Sequence, residues 1–287
     1  MKRRKREKAK KPKLIASDGL RARDNGAWAR EKLDFLDLFA GPGINMLRGL
    51  TDELEGSPLR ALALHADGDV PHGFTHATFV NRSLGDHRAL LERVRRRTEA
   101  GSSLIPANAI HCVHGDANEE LPGLLAGIHP KAYIFVFADI TAPKQLPWST
   151  LELLSPAGSH GSIDLYVLFP LDMAVIRLIS FNKKATDNCA AVLTTFFGCE
   201  EWRALSDRRL TSAQSPELRR GLENLYVGRL RKLWGHAVTV ADIRRGPKHR
   251  LYKMLFATSN LPAFKLAKWW VDSQSRLDPP GQGEFFQ

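Results

Sequence analysis

Asp34-Phe-Leu-Asp-Leu-Phe-Ala-Gly-Pro-Gly43 is the stretch that decides the reading of this chain. Apolar Phe35, Leu36, Leu38 and Phe39 suit a buried parallel strand. Gly41 and Gly43 supply the positive φ angles that a sharp turn from strand into helix requires. With no Cβ at either glycine, backbone amides can approach a nucleotide-like or anionic ligand closely. The spacing Asp-x-Phe-x-Gly-x-Gly lacks the Gly-Lys-Ser/Thr of a phosphate loop and the third glycine of the dinucleotide fingerprint. A Gly-x-Gly after an apolar run is also, in many chains, no more than a tight turn, so the flanking sequence has to arbitrate.

Outward from that turn, strand and helix patterns alternate. Residues 26–33 read as a short lead-in helix. Gly56-Ser57-Pro58-Leu59 predicts a helix over 57–66, with Ser57 as cap and Pro58 at the first helical position. Residues 74–80 form a second strand, and 88–98 a helix whose Arg93, Arg95, Arg96 and Arg97 make a solvated face. Residues 110–114 are a third strand ending in Gly115-Asp116-Ala117-Asn118, and a helix follows from Leu121. Residues 133–138 are six apolar residues in a row, a fully buried strand with Asp139 at its carboxyl end, where open parallel sheets bind their ligands. A helix over 148–154, a strand over 163–169 and a helix over 172–179 continue the alternation. Residues 216–234 are a long amphipathic helix. Two further strands, 237–243 and 250–258, are joined by Arg-Arg-Gly-Pro-Lys-His, a turn signal. The expectation is an α/β fold, a mostly parallel sheet with an antiparallel closing hairpin, flanked by helices.

Charge is unevenly spread. Residues 1–13 hold nine Lys/Arg and one Glu, so +8 of the net +11 sits there and +3 remains for the rest. Such a run reads as a disordered basic tail over 1–20, either simply solvated or holding nucleic acid through its phosphates. One domain is expected over 21–272 and a flexible tail over 273–287, rich in Pro and Gly. No stretch approaches the ~20 apolar residues of a membrane span, and no apolar region follows the charged N-terminus as in a secretory signal. Cys112, Cys189 and Cys199 are far apart and form neither a disulfide framework nor a Cys-x-x-Cys site, which fits a reducing cytoplasm. His65, His72 and His76 lack metal-ligand spacing, and no metal is expected. Large aromatics at helical spacing, including Trp148, Trp202, Trp234, Trp269 and Trp270, are read as core rather than as base-stacking residues.

Six blocks carry a resemblance. They are Asp37-Leu-Phe-Ala-Gly-Pro-Gly43, Gly56-Ser-Pro-Leu59, Gly115-Asp-Ala-Asn118, Leu146-Pro-Trp-Ser-Thr-Leu-Glu152, Phe196-Phe-Gly198 with Trp202, and Leu251-Tyr-Lys-Met-Leu-Phe-Ala-Thr258. In order and spacing, over residues 26–270, they resemble the three-Cys-motif partner protein family, TcmP. The resemblance implies a Rossmann-like, class I methyltransferase sheet, S-adenosylmethionine as cofactor, and a partner protein that carries the three cysteines. It departs from the family at Asn81, where an acidic ribose ligand is usual, and at Asp139-Ile-Thr-Ala142, where Asp-Pro-Phe-Gly is usual. The opening motif is also similar to that of cytosine-C5 DNA methyltransferases. Their nucleophile is a cysteine after a proline, and here His111, Asn188 and Gly198 precede the three cysteines, so that chemistry is rejected.

The cofactor-binding candidates are therefore Asp37, Phe39, Ala40, Gly41, Pro42, Gly43, Asn81, Asp116 and Ala117, and the catalytic candidate is Asp139. Gly41 and Gly43 would cradle the methionine end, while Asp37 would either orient the turn or accept from the ammonium group. Asp116, or Asn118, would meet the adenine edge or else cap a helix. Asp139 would take a proton from the acceptor or else serve as a loop cap. Either the chain is a methyltransferase acting on an unidentified substrate, nucleic acid among the candidates, or it is a non-catalytic module working beside a partner.

Overall fold

The computed structural model describes residues 14–15, 21–22, 33–46, 53–63, 73–158, 162–179, 183–207, 216–245 and 249–277. The chain divides into residues 1–31 and 32–287. In the first unit, Leu14–Ile15 pairs antiparallel with Arg21–Ala22. The lead-in helix over 26–33 and the basic run 1–13 fall outside the described residues, apart from Leu33, which opens the first strand.

The second unit is built on a seven-stranded sheet. Its strands are β1 (Leu33–Asp37), β2 (His76–Asn81), β3 (Ile110–His114), β4 (Tyr133–Ala138), β5 (Ser162–Phe169), β6 (His236–Arg245) and β7 (His249–Thr258). They lie side by side as β6-β7-β5-β4-β1-β2-β3. β7 runs antiparallel to both neighbours, and the other pairs are parallel. This is the Rossmann-like sheet of class I methyltransferases, with the closing hairpin β6–β7 at one edge. Helices lie in the connections between the parallel strands, because parallel neighbours cannot be joined by tight turns. The helices used below are α1 (Ser57–Leu62), α2 (Leu84–Glu99), α3 (Ala117–Gly127), α4 (Trp148–Leu154), α5 (Ala190–Phe197), α6 (Pro216–Trp234) and α7 (Leu261–Leu277).

Strand alternation sends side chains to two separate cores. Phe35 and Phe79 join Leu59, Leu62 and Leu90 of α1 and α2. Their strand neighbours Leu36 and Val80 belong instead to the larger core, with Trp148, Phe169, Phe196, Tyr226 and Trp234. Tyr226 stacks on Phe169 at 4.7 Å and on Phe196 at 4.9 Å, and meets the edge of Trp148 at 5.5 Å. The aromatics Trp148, Trp202 and Trp234 are thus core, as the sequence led us to expect. Trp234 donates its indole N–H to the Ile163 carbonyl, so the ring is buried without an orphaned donor.

Four elements differ from the sequence reading. The glycine turn does not run into a helix: Ile44–Met46 and Glu53–Glu55 first form an antiparallel ribbon, and α1 follows. β4 is half-buried rather than fully buried, because Ile134, Val136 and Ala138 are inside while Phe135 and Phe137 keep partial exposure on the other face. The segment after β5 starts as a wide π-type turn, Leu171–Val175, with Pro170 as its N-cap. Finally, α7 runs unbroken through residue 272, the expected domain boundary, to Leu277, and its Trp269 and Trp270 are 64% and 43% exposed rather than core.

The large core depends on one close approach. At Gly198 (φ +65°) an added Cβ would lie 2.2 Å from Cγ of Trp148. Gly198→Ala is expected to cost about 2–5 kcal/mol, from the left-handed backbone and from overpacking against a rigid ring. Gly123→Ala, inside α3 with open space around it, should be neutral or stabilise by up to about 1 kcal/mol. Urea unfolding checks the pair, and a Gly198→Ala midpoint at or above that of the native chain would contradict this packing.

Candidate functional site

In an open parallel sheet, ligands settle outside the carboxyl ends of the strands where the winding reverses direction. Here the reversal falls between β1 and β4, since β2 and β3 extend one way from β1 and β5 the other. Asp37 ends β1, opposite Phe137, and Asp139 lies just past the end of β4. The glycine turn, Asn81 and Asp116 close the same edge.

Asp37 is fully buried. Its Oδ1 accepts the Phe39 amide at 3.1 Å, and its Oδ2 accepts the Ser57 hydroxyl at 2.6 Å. One carboxyl therefore joins the strand end, the start of the turn and the first residue of α1. Each oxygen accepts a hydrogen bond inside the protein, so Asp37 orients the turn. Ser57 correspondingly is not the helix cap. Gly56 takes the cap position, with no side-chain hydrogen bond, and the Ser57 hydroxyl serves Asp37 instead. Burial pushes the Asp37 pKa up to about 7, the two hydrogen bonds lower it, and the Asp139 charge raises it further.

The turn itself is tied by its carbonyls. Arg93 donates Nη1–H to the Pro42 oxygen at 2.6 Å, and the Gly56 amide donates to the Gly43 oxygen at 2.8 Å. Arg93, read from sequence as one of a solvated row, is thus a clamp on the turn. Arg97 leaves the row as well, pairing with Glu55 of the ribbon, whereas Arg95 and Arg96 stay exposed with Glu92 and Glu99. The Ala40 amide donates to the Val80 carbonyl and so anchors the turn to β2. Gly41 (φ +61°) and Gly43 (φ +86°) both need glycine, for different reasons. At Gly43 a Cβ would lie 2.8 Å from Leu90 Cδ1, whereas at Gly41 it would point into open space. Among the described residues, the amides of Gly41 and Gly43 make no backbone hydrogen bond.

Asn81, at the end of β2, is 4% exposed, and its Nδ2 is buried with no partner. An orphaned buried amide is costly unless a ligand completes it. Beside it, His87 of α2 stacks with His114, which pairs with Asn81 in register. Asp116 caps α3: its Oδ1 accepts both the backbone and side-chain N–H of Asn118 at 2.9 Å. Its Oδ2 lies 3.6 Å from the exposed Arg82. Ala117, the first residue of α3, is buried. Asn118 donates to the Gln145 carbonyl and accepts from Thr150, which locks α3 to the loop after β4.

Asp139 is exposed just past the end of β4, and partial burial of its carboxyl raises its pKa. Tyr252 of β7 also feels the Asp139 charge, and that charge and burial together raise the phenol. Sequence reasoning missed Tyr252, Ser57 and Arg93 as members of the site. The blocks containing Ser57 and Tyr252 were visible, but their meeting point is a property of the folded sheet. The loop after Asp139 closes on itself: the Gln145 side-chain oxygen accepts from the Thr141 amide at 2.8 Å and the Ala142 amide at 2.7 Å. Ile140 is fully buried. Of the histidines weighed for a metal, His76 pairs with Asp34 at 3.0 Å, and His65 and His72 lie outside the described residues. Among the described residues, no group of His, Cys, Asp or Glu is placed to hold a metal ion, and no helix is long and apolar enough to cross a membrane.

No family model matches the chain. No curated protein matches it either. Among solved structures, distant similarities are found. Protein LPL1258 from Legionella pneumophila, of the DUF519 family, is 12% identical with a TM-score of 0.47, over 88% of this chain and 86% of that one. A candidate sarcosine dimethylglycine methyltransferase from Galdieria sulphuraria is 15% identical with a TM-score of 0.31, over 79% of this chain and 78% of that one. A conserved hypothetical protein of Streptococcus pyogenes is 16% identical with a TM-score of 0.32, over 48% of this chain and 67% of that one. The methyltransferase-like fold rests on the strand order described above.

The Asp37 carboxyl gives a pH test with a definite sign. Its folded pKa, about 7, lies above the ordinary 3.8, so the folded state holds the proton more tightly than the unfolded chain. Its contribution is fully present below pH 3.8 and is lost as pH rises through 7. Asp37→Asn keeps an acceptor for the Phe39 amide and has no charge to bury. Thermal unfolding should show the variant gaining on the native chain as pH rises, by roughly 5–10 °C between pH 5 and pH 8. Parallel pH profiles for the two would contradict the arrangement at Asp37.

Proposed function

We propose that the chain binds S-adenosylmethionine at the β1/β4 reversal point and transfers its methyl group, as a TcmP-like methyltransferase. The observation that carries this reading is the glycine turn. Among the described residues its two glycine amides make no backbone hydrogen bond, a Cβ at Gly41 would meet open space, and the turn and Asp139 follow the two strands that flank the reversal point where such sheets bind ligands. Asn81 fits the group as well, because its orphaned Nδ2 is a donor suited to a ribose hydroxyl oxygen. Gly41, Gly43, Asn81 and the Asp116–Ala117 segment would hold the cofactor, which supplies an electrophilic methyl when bound.

The chain's own residues do the rest. Arg93 and Asp37 fix the turn from outside and from beneath, so the amides are preorganised rather than ordered on binding. Methyl transfer asks chiefly for a nucleophile held in line, and positioning of this kind supplies a large share of the barrier lowering. Asp139 accepts a proton from the acceptor's hydroxyl or amine, and its raised pKa brings it toward the range where a carboxylate is an effective base.

One observation favours the second reading, a binding module without transfer. Gln145 occupies the loop amides after Asp139, and buried Ile140 replaces the usual proline, so the acceptor side is closed by the protein itself. Titration calorimetry separates the two. Saturable heat with S-adenosylhomocysteine at submillimolar ligand is expected for the native chain, abolished in Gly43→Val and retained within about threefold in Asp139→Asn. No heat at millimolar ligand would assign the chain to the module.

A further inference from the structure

The exposed face of α7 fits nothing in the account so far. Phe264 stacks on His236 of β6 at 4.9 Å, and Ala263, Ala267 and Val271 pack toward the large core, so one side of the helix is spent on the sheet. Leu266 (65% exposed), Trp269 (64%) and Trp270 (43%) lie outside that contact, Trp270 at its border and Trp269 opposite it. Positions 266, 269 and 270 are three and four residues apart and share one stripe. Lys265 lies four residues before Trp269 on the same stripe, and Lys268, its neighbour in sequence, lies to one side; both are exposed, as is Asp272. Two tryptophans left in water are uncommon, since each forfeits a large apolar area.

We propose that this stripe is a platform for single-stranded nucleic acid, with bases stacked on Trp269 and Trp270 and phosphates held by Lys265 and Lys268. Charge complementarity argues for that occupant. The stripe sets two exposed tryptophans beside two exposed lysines, and aromatic faces with positive charge are the combination that sequence-tolerant single-strand binders use. Its placement agrees. α7 packs along β6, and β6 runs toward the carboxyl edge of the sheet, ending in Arg244 and Arg245 on the edge that bears Asp139. A strand lying on α7 and continuing past that hairpin would be led toward the crevice. The step from platform to methyl acceptor rests on the methyltransferase reading; the binding itself does not.

The test is fluorescence anisotropy of a labelled mixed-sequence single-stranded oligonucleotide and of the matching duplex, with the full chain, over a range of salt. Trp269→Ala/Trp270→Ala should lose about tenfold or more in affinity for the single strand and little for the duplex, and Trp269→Phe/Trp270→Phe should keep most of it. Lys265→Gln/Lys268→Gln should lower the slope of log affinity against log salt by about 1.4, two phosphates at about 0.7 each. The basic run 1–13 adds a salt-labile background common to every variant.

Unchanged single-strand affinity in the double alanine variant would overturn the proposal. So would an equal loss against duplex. Unchanged affinity together with a shift in sedimentation would assign the stripe to a second copy, and unchanged affinity with loss of a three-Cys-type protein partner would assign it to that protein. Tryptophan-dependent binding without uptake of S-adenosylhomocysteine would keep the platform and remove the methyltransferase reading. Uptake without tryptophan dependence would do the reverse.

Discussion

One buried carboxyl organises the edge of the sheet where chemistry is expected. Asp37 accepts from the backbone two residues on and from a hydroxyl twenty residues on, and so pins the end of β1 to the glycine turn and to α1. Burying an acid is costly, and the raised pKa is the measure of that cost. The return is geometric. The Ser57 and Phe39 bonds act together with the Ala40 amide on β2, the Arg93 clamp from α2 and the Arg97–Glu55 pair to hold the turn and the ribbon after it. A turn of two positive-φ glycines has no intrinsic preference for one shape, because glycine samples both signs of φ freely. The shape has to be imposed from outside, and here it is imposed on three sides.

The two cores hold that edge in place from beneath. The smaller one fills the space between β1, β2 and helices α1 and α2, and Leu90 in it lies against Gly43, so the turn packs directly on the core. The larger one centres on Tyr226, ringed by Phe169, Phe196, Phe197 and Trp148. It fixes α4 against α5 and α6, and through Thr150 and Asn118 it fixes the loop that follows Asp139. Sequence blocks far apart in the chain, around residues 148, 197 and 226, are thus one packing unit whose effect is felt at the crevice.

Most strands were legible because continuous apolar runs of five or six residues bounded by Gly and Asp have few alternatives. The helices over 148–154 and 216–234 were legible for the same kind of reason. The ribbon 44–46/53–55 was not: its strands are three residues long, and Glu53 and Glu55 point away from any core, so no period marks them. Ser57-Pro58 looked like a helix cap because cap and hydrogen-bond donor use the same hydroxyl, and only the fold shows that Asp37 takes it. Arg93 sat within a run of arginines that sequence cannot tell apart. Trp269 and Trp270 were misread because large aromatics are usually buried, and exposure is decided by which face of α7 meets β6. The candidate site was half visible. Asp37, the turn, Asp116 and Asp139 stood out as strand ends, whereas the orphaned Asn81 amide and the charge of Asp139 acting on Tyr252 required the assembled sheet.

In the proposed adenosyl site, the preorganised turn and Asp139 are the two walls. A crystal structure of the chain grown with S-adenosylhomocysteine tests that claim most directly. The predicted result is ligand density between the glycine turn and Asp139, with ribose oxygens on Asn81 Nδ2 and the adenine beside Asp116. Density elsewhere on the chain, or a crevice filled by the protein's own side chains, would contradict it.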